Sequence, residues 1–299
     1  MSADRVPVHA SVLPVETLTL LDPQAGQTWV DCTVGGGGHT RLIAERVGPT
    51  GRVIGLDQDP TMLELARERL QGLPVELVHA NFDQLADLLA ARGIAQVDGV
   101  FADLGFSSDQ LAQTARGLSF RDDGPLDMRL DPTSGATAAD LVNKMGEAAL
   151  ADVFFEYGEE RFSRRVARRI VERRATRPFA TTADLAGVVR SCVPRSGSID
   201  PATRVFQALR IAVNDELGAL DRLLAGLPKI VKPGGRAGII SFHSLEDRRA
   251  KHAFRAVGLW RLVNKKPVEA GDAETARNPR SRSAKLRVAM RIVQGEQDI

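Results

Sequence analysis

The sequence predicts an α/β protein in which a helical domain is inserted into a parallel sheet. Three observations carry that expectation. Strand–helix repeats run from residue 28 to residue 105, the alternation stops over 110–205, and it resumes from residue 206. Strands alternating with helices imply right-handed βαβ units and hence parallel strands. A loop in such a unit usually takes about 2–6 residues, so an interruption of this length is a domain of its own. The expected division is a ligand-binding domain over 1–109 and 206–299, and a helical domain over 110–205.

The elements read in order. TWVDCTV (28–34) is a β-branched run that stops at glycines, and HTRLIAERVG (39–48) follows with helical spacing and a Gly stop. RVIGLDQD (52–59) is a second strand. PTMLELARERLQG (60–72) opens with Pro in its first turn and ends at Gly, the usual asymmetry of a helix. VELVHANF (75–82), FDQLADLLAARG (82–93) and VDGVFADLG (97–105) give a third strand, a helix and a fourth strand. Beyond the insertion a single helix is expected over 206–227, and KPGGRAGIISFHS (232–244) reads as a Pro-Gly-Gly turn leading into a fifth strand. SAKLRVAMRIV (283–293) sets Leu286, Val288, Met290 and Ile292 against Lys285, Arg287 and Arg291, the period-2 pattern of a half-buried strand. Residues 264–282 are polar and unpatterned and read as a mobile loop.

Bulk properties narrow the class. With 299 residues and a net charge of +2, the chain has length for a large core and is no polycation, so a nucleic-acid partner has to be argued from local charge. Two cysteines, Cys32 and Cys192, give neither a disulfide framework nor a metal cluster, and no metal is expected. The start lacks the apolar core of a secretory leader, and no run reaches the ~18 apolar residues of a membrane span. A cytoplasmic protein with no membrane partner is the expectation.

The four glycines of DCTVGGGGHT (31–40) raise the ligand question. They lie between the first strand and its helix, where bare backbone lets a ligand approach and the helix start offers unpaired N–H groups. A dinucleotide fingerprint started at Gly35 or Gly36 would put its third glycine on Thr40 or Arg41, and a P-loop would need Gly-Lys-Ser/Thr; both fail. S-adenosylmethionine (SAM) remains, because its sulfonium, amino and carboxylate groups need close backbone and an acidic neighbour. Asp31 ends the first strand, Asp57 ends the second where it can accept the ribose hydroxyls, and Asn81-Phe82 ends the third where a ring can cover the adenine. A tight turn with solvated carboxylates is the competing reading.

The fourth strand leads into FADLGFSSDQL (101–111), which places Asp103 toward the methyl acceptor. Methylating cytosine at C5 needs a cysteine nucleophile, and none follows this strand. An exocyclic amine needs instead hydrogen-bond acceptors and in-line placement. Asp103, the Leu104 and Gly105 carbonyls and Phe106 as a stacking face can supply them; otherwise Asp103 is a turn residue.

DCTVGGGGHT, GLDQDP, ADLGFSSDQL, RGLSFRDDGPLDMR, YGEERFSRRVARRIV, PATRVFQALRIAVNDEL, KPGGRAGIISFHSLEDR and NPRSRSAKLRVA occur in that order across nearly the whole chain. Together they resemble the bacterial small-subunit (16S) rRNA cytosine-N4 methyltransferases, the RsmH/MraW family. The resemblance implies a Rossmann-like class I SAM-dependent methyltransferase domain with an inserted helical substrate-recognition domain. It implies methylation of N4 of a cytosine in the decoding region of small-subunit rRNA. It carries SAM contacts onto Gly37, Gly38, His39, Asp57, Phe82, Asp103 and Gln110, giving Asp103 two roles, SAM contact and orientation of the amine. Gly36 departs from the family, which often has a bulkier residue there.

The RNA partner, the small ribosomal subunit, has a local counterpart. Residues 161–210 hold twelve Arg, no Lys and three acids, a local positive excess in a chain whose net charge is only +2. In EERFSRRVARRIVERR, Phe162, Val166 and Ile170 fall on one helical face and Arg161, Arg164, Arg165, Arg168 and Arg169 on the rest. Planar, always-charged Arg suits phosphate and base recognition; pairing with Glu159, Glu160 and Glu172 is the alternative. In SFHSLEDRR (241–249), His243, Glu246 and Asp247 are candidates for base binding or proton relay, with a loose capping box of Ser244 and Asp247 as the bland reading. A DNA amino-methyltransferase would carry a Pro-Pro-aromatic sequence where Leu104-Gly105-Phe106 stands, so no DNA partner is expected. A SAM-binding RNA assembly factor without turnover is the reading from another class, and a homodimer is left open.

Overall fold

A computed structural model describes residues 11–107, 110, 113–195, 197 and 199–293. The described chain divides into two compact units, 1–107 with 217–299, and 108–216.

The first unit is built on a seven-stranded sheet in the order β3-β2-β1-β4-β5-β7-β6. Its strands are β1 (Thr28–Asp31), β2 (Arg52–Asp57), β3 (Val75–His79), β4 (Val97–Asp103), β5 (Val231–Ser241), β6 (Trp260–Leu262) and β7 (Lys285–Arg291). β1 to β5 are parallel, and β7 pairs antiparallel with β5 and β6. The order reverses at β1 and β4, so their carboxyl ends open the crevice where ligands bind in such sheets. Helices α1 (Pro14–Leu21), α2 (Gly38–Val47), α3 (Pro60–Arg69) and α4 (Leu85–Ala91) accompany the first strands. Asp59 caps α3 by accepting from the Thr61 N–H at 3.0 Å, with Pro60 in the first turn. The sheet is buried on both faces. Ile54, Val100, Ile239 and Leu223 share one core cluster, and Trp29, Val53, Phe101 and Ile240 share the other. Gly99 makes room for a close approach: a Cβ there would lie 2.3 Å from the Trp29 ring.

The second unit is helical: α5 (Ala138–Lys144), α6 (Glu147–Gly158), α7 (Ser163–Arg174), α8 (Thr182–Cys192) and α9 (Thr203–Asn214). Its own core gathers Leu150, Phe154, Val166, Ile170, Phe179 and Phe206. A Thr137–Asp140 capping box starts α5.

Three expectations change. The single helix over 206–227 is two helices, α9 and α10 (Glu216–Ile230), separated at Asp215, whose φ is 47°. The break has a cause: the Asn214 side chain donates to Met128 O and Arg210 O and accepts from the Leu130 N–H, drawing that turn out of helical register. The segment 264–282 is not a featureless loop. It forms α12 (Asp272–Arg277) and a 3₁₀ turn at Pro279–Ser283, and Glu274 accepts from the Leu13 N–H at 2.8 Å. β7 is not half-buried, since Arg287 on its polar face is only 9% exposed and pairs with Asp247 at 2.7 and 3.1 Å.

Candidate active site

The carboxyl ends of β1, β2 and β4 each present a buried or half-buried carboxyl group. Asp31 is fully buried, accepting from the Thr33 N–H at 3.0 Å and the Thr40 hydroxyl at 2.7 Å. Burial pushes its carboxyl up to about 6 against those hydrogen bonds. Asp57 is tied to the glycine loop: one oxygen accepts from the Gly35 N–H at 2.7 Å and the other from the Asp59 N–H at 2.9 Å. Each oxygen keeps a second lone pair. Burial holds this carboxyl at about 6 as well.

The glycine loop itself is not uniform. Gly35 has φ 50° and Gly37 φ 83°, left-handed backbone that favours glycine. A Cβ on Gly35 would meet nothing within 4 Å, so this backbone borders open space. A Cβ on Gly38 would fall 2.0 Å from Ser11 Oγ, so Gly38 admits the chain that packs on it. Arg69 donates to Gly36 O at 3.0 Å and steadies the loop from α3.

Asp103 ends β4 between these groups. Its N–H donates to Thr33 Oγ1 at 2.6 Å, one carboxyl oxygen accepts from the Gly105 N–H at 3.3 Å, and the other lies 3.6 Å from His39 Nε2. His39 is 7% exposed and packs against Phe101, with ring centroids 4.8 Å apart. Burial drives the Asp103 carboxyl up to about 7, with the charges of Asp31 and Glu246 adding to the rise and the Gly105 N–H and Arg280 opposing it. Arg280 also donates to the Phe106 carbonyl and so pins the loop that follows Asp103. Sequence reasoning missed Arg280 because it sits in the polar 264–282 segment; the NPRSR motif was its only signal.

The other candidates fall as follows. Phe82 is 9% exposed and joins the core with Ile54 and Leu85, which leaves little of its ring for a ligand. His243 is the N-cap residue of α11 (Ser244–Phe254), with Nε2 3.1 Å from Glu246 Oε1. Glu246, 3% exposed, also accepts from the Phe242 and His243 N–H groups at 2.8 and 3.3 Å. The cap is therefore built by His243 and Glu246, not by Ser244 and Asp247, and Asp247 is held by Arg287. Gln110 lies in the helical unit and is 6% exposed.

Residues 7–292 match the MraW methylase family. The chain is 48% identical to "Ribosomal RNA small subunit methyltransferase H" of Citrifermentans bemidjiense over 95% of this chain and 98% of that protein. It is 51% identical to the protein of the same name from Sorangium cellulosum, over 95% and 91%. A third relative of that name, from Trichormus variabilis, is 49% identical over 97% and 94%. This chain belongs to the MraW methylase family. Its seven-stranded sheet, with one antiparallel strand near the edge, is accordingly the Rossmann-like sheet of a class I methyltransferase.

In the methylase's helical unit, α7 buries Val166, Ala167 and Ile170 and exposes Arg164, Arg165, Arg168 and Arg169. Arg168 lies 3.5 Å from Glu147 and Arg169 3.4 Å from Glu172, at exposed positions where such pairs contribute little. Arg161, Arg164 and Arg165 are exposed and pair with no acid among the described residues. Farther along, Arg173 is half-buried over the Phe179 ring and 3.5 Å from Asp184, so it serves the fold.

Proposed function

We propose that this protein transfers the methyl group of SAM to the N4 amine of a cytosine in the decoding region of small-subunit (16S) rRNA, in the cytoplasm. The observation that carries the reading is the half-buried Asp103 carboxyl at the end of β4, beside His39 at the end of the glycine loop. The relatives' names, which specify small-subunit rRNA, support the substrate class.

The residues fit SAM. Gly35 borders open space where a Cβ would otherwise stand, and Asp57 retains acceptor capacity on both oxygens for ribose hydroxyls. Asp31 is a buried and Asp103 a half-buried carboxyl group, and a nearby cation stabilises the charged form of each. Gly37, Gly38 and His39 line the start of α2, and of the Phe82 ring only the small exposed part is left for the contact that the family implies. Bound there, SAM supplies an electrophilic methyl group.

The chain's own residues handle the amine. An aromatic amine is a weak nucleophile, so acceptors for its N–H bonds have to hold its lone pair toward the methyl group. The Asp103 carboxylate and the carbonyls of Leu104 and Gly105 serve, on a loop pinned by Arg280, and Phe106 gives a face to the base. As nitrogen gains a methyl group it loses a proton, and the Asp103 carboxylate, whose protonated form burial favours, receives it. His243 with Glu246 extends the polar network on the neighbouring strand end. C5 chemistry lacks its nucleophile: the Cys32 thiol is buried and pushed well above its ordinary range by burial and by Asp31. In the helical unit, Arg161, Arg164, Arg165, Arg168 and Arg169 bind RNA phosphates.

The test is labelled methyl transfer to naked small-subunit rRNA, to assembled small subunits lacking the modification, and to DNA, with the product nucleoside identified by mass spectrometry. N4-methylcytosine at one rRNA position is expected. Transfer to DNA alone, or to another atom, overturns the reading.

A further inference from the structure

The corner between α6 and α7 holds an aromatic ring out in solvent. Its spacing puts Phe162 on the apolar face of a helix, but α7 starts at Ser163 and Phe162 is 40% exposed. The corner is built to keep it there. Glu159 adopts a left-handed φ of 50°, uncommon for a residue with a side chain. Glu160 is 2% exposed, and its Oε1 accepts the Phe162 N–H at 2.8 Å. A Cβ on Gly158 would lie 2.5 Å from Arg204 O, so α9 packs closely on this end of α6.

The charge around the ring is as unusual as its exposure. Arg161, Arg164 and Arg165 surround it in sequence, exposed and without an acidic partner among the described residues. Glu160 is occupied by the Phe162 N–H, and Glu172 lies by Arg169. Arg164 and Arg165 stand in the first turn of α7, at the positive end of the helix dipole. Arg164 with Arg168, and Arg165 with Arg169, repeat at i,i+4, a like-charge spacing that disfavours the helix. A polyanion relieves both conflicts.

We propose that Phe162 is a stacking platform for one unpaired RNA nucleobase, with Arg161 and Arg165 on the flanking phosphates. The proposal rests on the RNA-substrate reading above and adds a base contact to its charge attraction. Every base offers a π face, and only an unpaired base exposes it, so single-stranded RNA is the ligand that fits. Phe155 supplies an internal control. It is 63% exposed but shares α6 with Asp152 and Glu156.

The experiment uses the full chain with Phe162→Trp or Phe155→Trp. Trp29 and Trp260 are buried, so a surface tryptophan reports separately. Each variant is titrated with a short single-stranded RNA, with the same strand in a duplex, and with inorganic polyphosphate. Single-stranded RNA is expected to quench the Phe162→Trp variant, the other two probes to change it little, and the Phe155→Trp variant to stay silent. Phe162→Ala and Phe162→Leu are expected to weaken single-stranded RNA binding about ten-fold with SAM binding unchanged, the Leu variant keeping apolar bulk without a π face. Equal responses to RNA and polyphosphate overturn the proposal. So does unchanged RNA affinity of the Ala variant, or a changed sedimenting mass at unchanged RNA affinity, which marks a self-association surface. Wild-type protein that passes these tests but methylates another atom refutes the proposed reaction alone. N4 methylation with full RNA affinity in Phe162→Ala refutes the stacking platform alone.

Discussion

Replacing Asp103 by Asn should make the ligand-free protein more stable at pH 8 while abolishing methyl transfer. The Asp103 side chain is only 14% exposed, and its carboxyl is raised from 3.8 to about 7. A carboxyl raised on folding contributes its stability below the unfolded value, and that contribution is lost as pH rises toward the folded value. Between pH 4 and pH 7 the wild type therefore pays an increasing penalty that the amide avoids. A shift of about three pH units corresponds to roughly 4 kcal/mol at full development. The groups facing Asp103 set the size: Asp31 and Glu246 enlarge it, and Arg280 and the Gly105 N–H reduce it. Because these groups titrate together, the gap should develop over a broad pH range. Urea denaturation of both proteins at pH 4, 6 and 8 measures it. The hydrogen bonds that Asn makes or loses shift all three values alike, so the diagnostic is the change of the gap with pH. A gap constant from pH 4 to pH 8 would refute the assignment of a half-buried, neutral-pH carboxyl at this strand end.

Other substitutions probe separate parts of the site. Asp57→Ala should weaken SAM binding by about 1–3 kcal/mol through the lost charged hydrogen bonds, read by calorimetry. Unchanged affinity would show that Asp57 serves only the Gly35 turn. Arg165→Glu with Arg169→Glu should weaken RNA capture, flatten its salt dependence and leave SAM binding intact; equal methylation of rRNA by wild type and variant would remove α7 from the RNA interface. Gly99→Ala forces a Cβ against the buried Trp29 ring and should destabilise the fold by about 1–3 kcal/mol in the same urea assay, with intact stability contradicting the close packing.

The parts of this molecule that a sequence makes legible are those governed by local rules. Asp31, Asp57 and Asp103 could be placed because each ends a β-branched run, and a strand end in a parallel sheet has one destination. The glycine loop was legible for the same reason. Only the structure separates the roles within it, with Gly38 admitting Ser11 and Gly35 facing open space. β6 escaped notice because three residues, Trp260–Leu262, carry no periodicity.

What stayed hidden depends on polar groups satisfied over long distances. Arg287 alternates with Leu286 and Val288 as a solvent-facing residue should, yet Asp247 takes its guanidinium and the position is buried. Periodicity reports whether a side chain prefers water in isolation, and a paired ion does not obey it. Asn214 follows the same logic: its amide leaves the helix for Met128 and Leu130 and ends α9 where the apolar spacing continues. Arg280 is the most consequential case. Nothing in its polar neighbourhood predicts order, but the Glu274–Leu13 bond and the Val268–Leu286 bridge anchor the segment, and Arg280 reaches the Phe106 carbonyl. A cation that opposes the rise of the Asp103 carboxyl thus arrives from 177 residues away in sequence. No local window contains both groups, so the electrostatic setting of this strand end can be assembled only in three dimensions.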